Sequence, residues 1–210
     1  MSASVASPPY GELAVTKCRN TITTIFGGSN PRHVVWRSKD KYVKRRAVVG
    51  VMGSGDKAQP EDTVTAFALG QAIAREGWVL LSGGRKSGVM EAVNEGAKNA
   101  DGNALTIGIL PGKDKKQLSD CVDVGIVTGM DNARNNINIL SSDVVIACGY
   151  GGAGTASEIA LALKSGKPVI LLNERRECVN FFRAISEKLV HESNSVDDTI
   201  SHVKKLLEKR

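Results

Sequence analysis

Gly149-Tyr150-Gly151-Gly152-Ala153-Gly154-Thr155 lies between an apolar run, Val144–Cys148, and an amphipathic stretch that ends at Lys164. Glycines let a backbone approach a ligand closely, and a helix start offers unpaired N–H groups and a favourable dipole. The guest expected at Gly151, Gly152 and Gly154 is therefore a phosphate or similar anion, with the Thr155 hydroxyl as an added donor. A tight strand-to-helix turn without a ligand would use the same residue types. Glycine clusters at 53–55, 83–88 and 111–112 also follow apolar runs. Four such loops on one edge of a parallel sheet can line one pocket, and scattered surface glycines would not fall so regularly. The expected pocket therefore gathers Gly53, Ser54, Gly83, Gly84, Gly88, Pro111 and Gly112 beside the loop at 149–154.

Arg134 is the natural cationic partner for a phosphate, although a solvated helix arginine is a common alternative. Arg85, inside the second glycine loop with Lys86 beside it, is the other candidate cation. Asn135, Asn136 and Asn138 could supply polar readout or cap turns. Glu158 stands three residues after Thr155, which reads as a Thr-x-x-Glu capping box closing the helix start. It reads equally as a carboxylate aimed at the sugar or ring of the ligand, serving as general acid or base. Residues 149–154 also match G-x-G-x-x-G, with Glu174 twenty residues past Gly154. That is the spacing of a dinucleotide site, but the motif normally belongs to the first βαβ unit and here follows the fifth strand. An NAD(P)-dependent enzyme is thus a minor alternative.

The elements that must hold these residues alternate from Ala47 onward, as in a parallel sheet wrapped by helices. Strands are expected at Ala47–Val51, Trp78–Leu81, Leu105–Leu110, Val124–Val127, Val144–Cys148 and Val169–Leu172. Helices are expected at Thr63–Glu76 (capped by Asp62), Val89–Asn99, Asp131–Leu140, Thr155–Lys164, Val179–Leu189 and Asp197–Glu208. Met90, Val93 and Ala97 should share one buried face, as should Ile200, Val203, Leu206 and Leu207, and Ile137 and Leu140 should point inward. The fold class is α/β, a single Rossmann-like, doubly wound parallel domain over residues 46–210.

A chain of 210 residues with 41% hydrophobic content can bury one sizeable core. No stretch approaches the roughly 20 apolar residues that cross a bilayer, so a soluble chain with no membrane partner is expected. Cys18, Cys121, Cys148 and Cys178 are far apart and His33, His191 and His202 lie away from the glycine loops. This argues against a protein-ligated metal or a disulfide framework. The formal charge of +6 is uneven: residues 1–46 hold nine basic and two acidic residues, and the rest nineteen against twenty. A near-neutral body is poor ground for a nucleic-acid surface. Residues 1–45 are rich in Ser, Thr and Arg and poor in acids, which suits an organellar transit peptide; a tail or a short strand at Ile22–Phe26 is the alternative. The expected location is cytoplasmic, or plastid or mitochondrial if that extension is a transit peptide.

Gly-Gly-Ala-Gly-Thr-Ala-Ser-Glu at 151–158, with Ser82-Gly83-Gly84 before it and Arg134 between, resembles the superfamily long mislabelled lysine decarboxylases. That superfamily includes the LONELY GUY cytokinin-activating phosphoribohydrolases. The chain is more similar to the molybdenum cofactor carrier proteins. Runs like Val49–Gly53, Gly77–Arg85, Ile126–Gly129, Ala133–Asn138 and Glu158–Lys164 occur there in the same order. The resemblance covers residues 46–209 and leaves 1–45 outside.

It implies a homo-oligomer, a dimer or tetramer, that binds the phosphate-bearing pterin molybdenum cofactor and shields it or hands it to molybdenum enzymes. It also adds Thr128, Gly129 and Asn135 to the binding residues. The phosphoribohydrolases carry Pro-Gly-Gly-x-Gly-Thr-x-x-Glu-Glu and an Arg-Lys pair. Here Tyr150, Ile159 and Asn135 stand in place of the proline, the second glutamate and the lysine. Arg134 and Glu158 survive as the pair that would be catalytic in a hydrolase, and the losses favour a non-catalytic carrier.

Overall fold

The strands are short and mostly apolar on both sides, as strands covered by helices on two faces must be. In the computed structural model, which describes residues 45–100, 104–149 and 151–209, seven parallel strands form one sheet. They are β1 (Val48–Gly53), β2 (Val79–Ser82), β3 (Leu105–Leu110), β4 (Val124–Val127), β5 (Val144–Cys148), β6 (Val169–Leu172) and β7 (Val190–Ser193). Their order is β4-β3-β2-β1-β5-β6-β7, so the winding reverses between β1 and β5. Val49 pairs with Val144 and Gly53 with Cys148, which brings the ends of β1 and β5 level at the reversal.

Period-two alternation divides the core. Val49, Val51, Val144, Ile146, Cys148, Ile170 and Leu172 face helices α1 (Pro60–Arg75), α2 (Gly88–Lys98) and α6 (Val196–Glu208). Met52, Val145, Ala147, Val169 and Leu171 face α3 (Asn135–Ser141), α4 (Ala153–Lys164) and α5 (Arg176–Ile185). Met90, Val93, Ala97, Ile200 and Val203 are buried as expected, and Leu206 and Leu207 pack at the margin of the first layer. α1 and α2 touch backbone to backbone: an ideal Cβ would lie 2.1 Å from Val93 O if built on Gly70, and 2.0 Å from Phe67 O if built on Gly96.

Four expectations need correction. α1 starts at Pro60, because proline suits a first helical turn; Asp62 is not the N-cap but closes a capping box from N3 onto Gln59. Val190–Ser193 is a seventh strand, and α5 ends at Ile185 rather than running to Leu189. The expected helix at 131–140 begins as one 3-10 turn (Asp131–Arg134), and Leu140 is 54% exposed while Asn138 and Ile139 are fully buried. An apolar pattern cannot find that face, since a buried asparagine occupies it. Finally, α4 starts at Ala153 with Gly152 as N-cap, which removes the Thr155–Glu158 capping box. The expected strand at Ile22–Phe26 and the transit-like extension lie outside the described residues.

Candidate functional site

Open α/β sheets bind ligands at the carboxyl ends of the strands where the winding reverses. A cavity of about 310 Å³ lies there. β1 delivers Gly53 and Ser54 to its wall, β2 delivers Gly83 and Arg85, and the start of α4 delivers Gly152, Gly154 and Thr155. Arg134 and Asn135 enter from the junction of the 3-10 turn with α3, and Glu158 from the second turn of α4. No side chain caps the start of α4, and an ideal Cβ on Gly152 or Gly154 meets nothing within 4 Å. The N–H groups and positive dipole end of a twelve-residue helix thus border open space.

The remaining expected residues do other work. Gly84 packs on the backbone of Gly108 with φ of +73°, and Gly88, at the start of α2, presses on the carbonyl of Gly55. The Gly151 N–H donates to Glu174 Oε1 at 3.3 Å, behind the cavity wall. Glu174 itself faces a separate cavity beside Gln59, Asp62 and Asn194, so it holds the loop and does not point at the ligand space.

Pro111, Gly112, Thr128 and Gly129 also stand back from the cavity. Gly129 N–H donates to Gly112 O at 2.8 Å, Asp131 N–H to Pro111 O at 3.0 Å, and Thr128 Oγ1 to Leu110 O at 2.7 Å. They fix the 3-10 turn that carries Arg134. Three of the four glycine loops line this cavity, and β3, which carries the fourth, lies one strand beyond β2 from the reversal.

Arg134 is the central side chain. It is 7% exposed, and its Nε and Nη1 have no hydrogen-bond partner among the described residues. Its guanidinium lies against Gly83, where an ideal Cβ would come within 2.6 Å of Nη1. Burial holds it below the usual arginine range; the nearby Glu158 opposes that shift and Arg85 adds to it. Glu158 is also buried, and burial raises its carboxyl above the ordinary range against the opposing pull of Asn138 and Arg134. Asn138 Nδ2 donates to Glu158 Oε1 at 3.1 Å. No ion pair within 4.0 Å joins Arg134 to Glu158 among the described residues. A cation held this way, with unpartnered N–H groups at the wall of a cavity, suits an external anion.

Asp56, Lys57, Met90 and Asn132 also line the cavity and escaped the sequence reading. Asp56 and Lys57 had a signal, since they directly follow Gly53-Ser54-Gly55. Met90 carried only its core periodicity, and Asn132 carried none.

A doubly wound sheet with a cavity at its reversal is the architecture of Rossmann-like small-ligand proteins. Residues 46–203 match the SLOG cluster4 family model, and the chain belongs to that family. It is similar to the molybdenum cofactor binding protein of the phototrophic bacterium Rippkaea orientalis. The two share 54% identity and a TM-score of 0.75, over 79% of this chain and 99% of that one. It is also similar to the Moco carrier protein from Chlamydomonas reinhardtii, with 48% identity and a TM-score of 0.74 over 79% and 100% of the two chains. An uncharacterized protein of Archaeoglobus fulgidus is 47% identical over 124 residues, 59% of this chain and 78% of that protein. The resemblance drawn from residues 151–158 and Arg134 agrees with these relatives.

Proposed function

We propose that this chain binds the molybdenum cofactor as cargo and shields or transfers it without chemically changing it. The observation that carries the reading is Arg134: a buried guanidinium with two unpartnered donor nitrogens, facing a cavity bordered by the uncapped start of α4. Those groups recognise the anionic groups of such a cargo, and a cavity of about 310 Å³ is of the size that encloses a small ligand. Two relatives at 48–54% identity are named for the same cargo. Retention of molybdenum cofactor activity by the purified chain through gel filtration tests the reading, and loss of the activity to the small-molecule fractions contradicts it.

One observation favours a second reading. Glu158 is a buried carboxyl beside Arg134 in the same cavity, and burial raises its pKa, which suits a general acid for N-glycosidic hydrolysis of a nucleoside monophosphate. Against it, Glu158 is tied to Asn138, and Ile159 in place of a second glutamate is buried in the core. Incubation with isopentenyladenine riboside monophosphate separates the two. Release of free base that disappears in Glu158→Gln establishes the hydrolase; no release supports the carrier.

The carrier works as a homo-oligomer on this proposal, with Met130 and Leu140, 47% and 54% exposed, on the surface available for a second copy. Molybdenum enzymes are its acceptors. No helix among the described residues is long and apolar enough to cross a membrane.

A further inference from the structure

Arg85 and Arg134 both reach the cavity, and neither belongs to an ion pair among the described residues. Arg134 Nε and Nη1 and Arg85 Nε are buried without a hydrogen-bond partner among those residues. Each guanidinium lies against backbone that glycine leaves open. An ideal Cβ on Gly83 would sit 2.6 Å from Arg134 Nη1, and one on Gly55 would sit 2.7 Å from Arg85 Nη2. The backbone of Arg85 is held in place from outside. Lys86 N–H donates to Gln117 O at 2.8 Å and Ser119 N–H to Gly84 O at 2.9 Å, a short antiparallel bridge centred on Arg85 and Leu118. Two like charges are thus built into one wall with their donor nitrogens unspent, an arrangement that costs stability unless an anion answers it.

This pair is not at the phosphate end. The guanidiniums lie over the loops of β1 and β2, whereas the start of α4 follows β5. β1 separates β2 from β5 in the sheet, so the backbone that the guanidiniums touch stands one to two strand spacings, about 5–10 Å, from the strand that leads into α4.

We propose that the cavity grips its guest at two separate anionic groups, a phosphate at the start of α4 and a second, oxyanion-like group clamped between Arg85 and Arg134. The geometry itself does not depend on the cargo. Only the identity of the second group, the oxo-metal end of the molybdenum cofactor, rests on the carrier reading. A ligand with a single anionic end, such as a nucleoside monophosphate, leaves the arginine clamp unanswered. The clamp therefore selects against the commonest small phosphate esters.

Crystals of the full chain grown with inorganic molybdate, and separately with inorganic phosphate, test this through the anomalous signal of molybdenum and the density of phosphate. Two molybdate sites are expected, one between Arg85 and Arg134 and one at the start of α4. Arg85→Gln should remove the first and spare the second, and in solution it should weaken the first site about ten- to hundredfold. Arg85→Lys, which keeps the charge but loses the fork of donors, should recover only part of that affinity. A single site at α4 overturns the proposal, as does a site at the arginines that persists unchanged in Arg85→Gln, which would mark an adventitious ion only. A clamp that accepts phosphate and refuses molybdate overturns the assignment of the oxo-metal end. Cofactor retention without a molybdate site at the clamp sinks the clamp alone, and a clamp site without cofactor retention sinks the cargo alone.

Discussion

Asn138 Nδ2 donates to Glu158 Oε1 at 3.1 Å, joining the short helix α3 to α4 beneath the cavity floor. Both residues are buried, and the other amide atom, Asn138 Oδ1, has no partner among the described residues. The bond makes Glu158 part of the cavity's frame, where a capping role at the helix start would have left it at the surface.

Its proton then becomes a stability term. Burial raises the Glu158 pKa in the folded chain above the unfolded value. The folded state therefore binds this proton more tightly, and the stability it contributes is full at acid pH and is lost as pH rises through the folded pKa. Glu158→Gln keeps the Asn138 contact and cannot ionise. Thermal melts of the ligand-free chain should show the variant melting above wild type at pH 7, with the gap closing toward pH 4. A variant that melts lower at neutral pH would contradict the account.

Arg134 should trade stability against binding. Arg134→Met removes a buried cation without a hydrogen-bonded partner at Nε or Nη1. Replacing such a charge by an apolar side chain of similar length is commonly neutral or stabilising. The ligand-free variant should therefore melt no lower than wild type. Its affinity for a phosphate-bearing ligand should fall by about 1.5–3 kcal/mol, the worth of a charge-assisted hydrogen bond. A calorimetric titration that shows unchanged affinity would mean that Arg134 does not contact the ligand.

Glycine substitutions separate cavity from scaffold. A Cβ on Gly83 would lie 2.5 Å from Met90 Sδ and 2.6 Å from Arg134 Nη1. Gly83→Ala should displace the guanidinium and weaken binding about tenfold or more with no change of charge. Gly112→Ala meets nothing within 4 Å and lies off the cavity, so its affinity should match wild type. Equal titration curves for wild type and Gly83→Ala would show that the guanidinium can move freely.

The α1–α2 contact offers a stability test remote from the site. Any side chain on Gly96 meets the Phe67 carbonyl, with an ideal Cβ 2.0 Å from its oxygen. Gly96→Val should cost at least about 1–3 kcal/mol through overpacking. For a chain of this size each kcal/mol lowers Tm by about 2–4 °C. A melting point equal to wild type would mean that the helices separate without penalty.

Much of this site was legible in the sequence because strands with both faces covered are apolar throughout, and glycine loops after them mark the ligand edge. Four strands (β3, β4, β5 and β6) begin and end where the apolar runs do. β7 was hidden because Val190-His191-Glu192-Ser193 is short and half polar, which an edge strand tolerates. Pro111 and Gly112 look like ligand-loop residues, yet strand order, which no local pattern carries, sets them back from the cavity. Asn138 and Glu158 could not be paired from spacing, since they meet only when α3 and α4 pack. Asp56 and Lys57 sit beside a recognised glycine loop, but only the turn that brings them inward reveals them.

The most direct test loads the full chain with molybdenum cofactor, passes it through gel filtration and measures molybdenum per chain in wild type and Arg134→Ala. About one molybdenum per chain should travel with the wild-type protein, as expected for a single small-ligand cavity, and most of it should be lost from the variant. Equal retention by both proteins, or none by wild type, would contradict the assignment of this cavity to the cofactor.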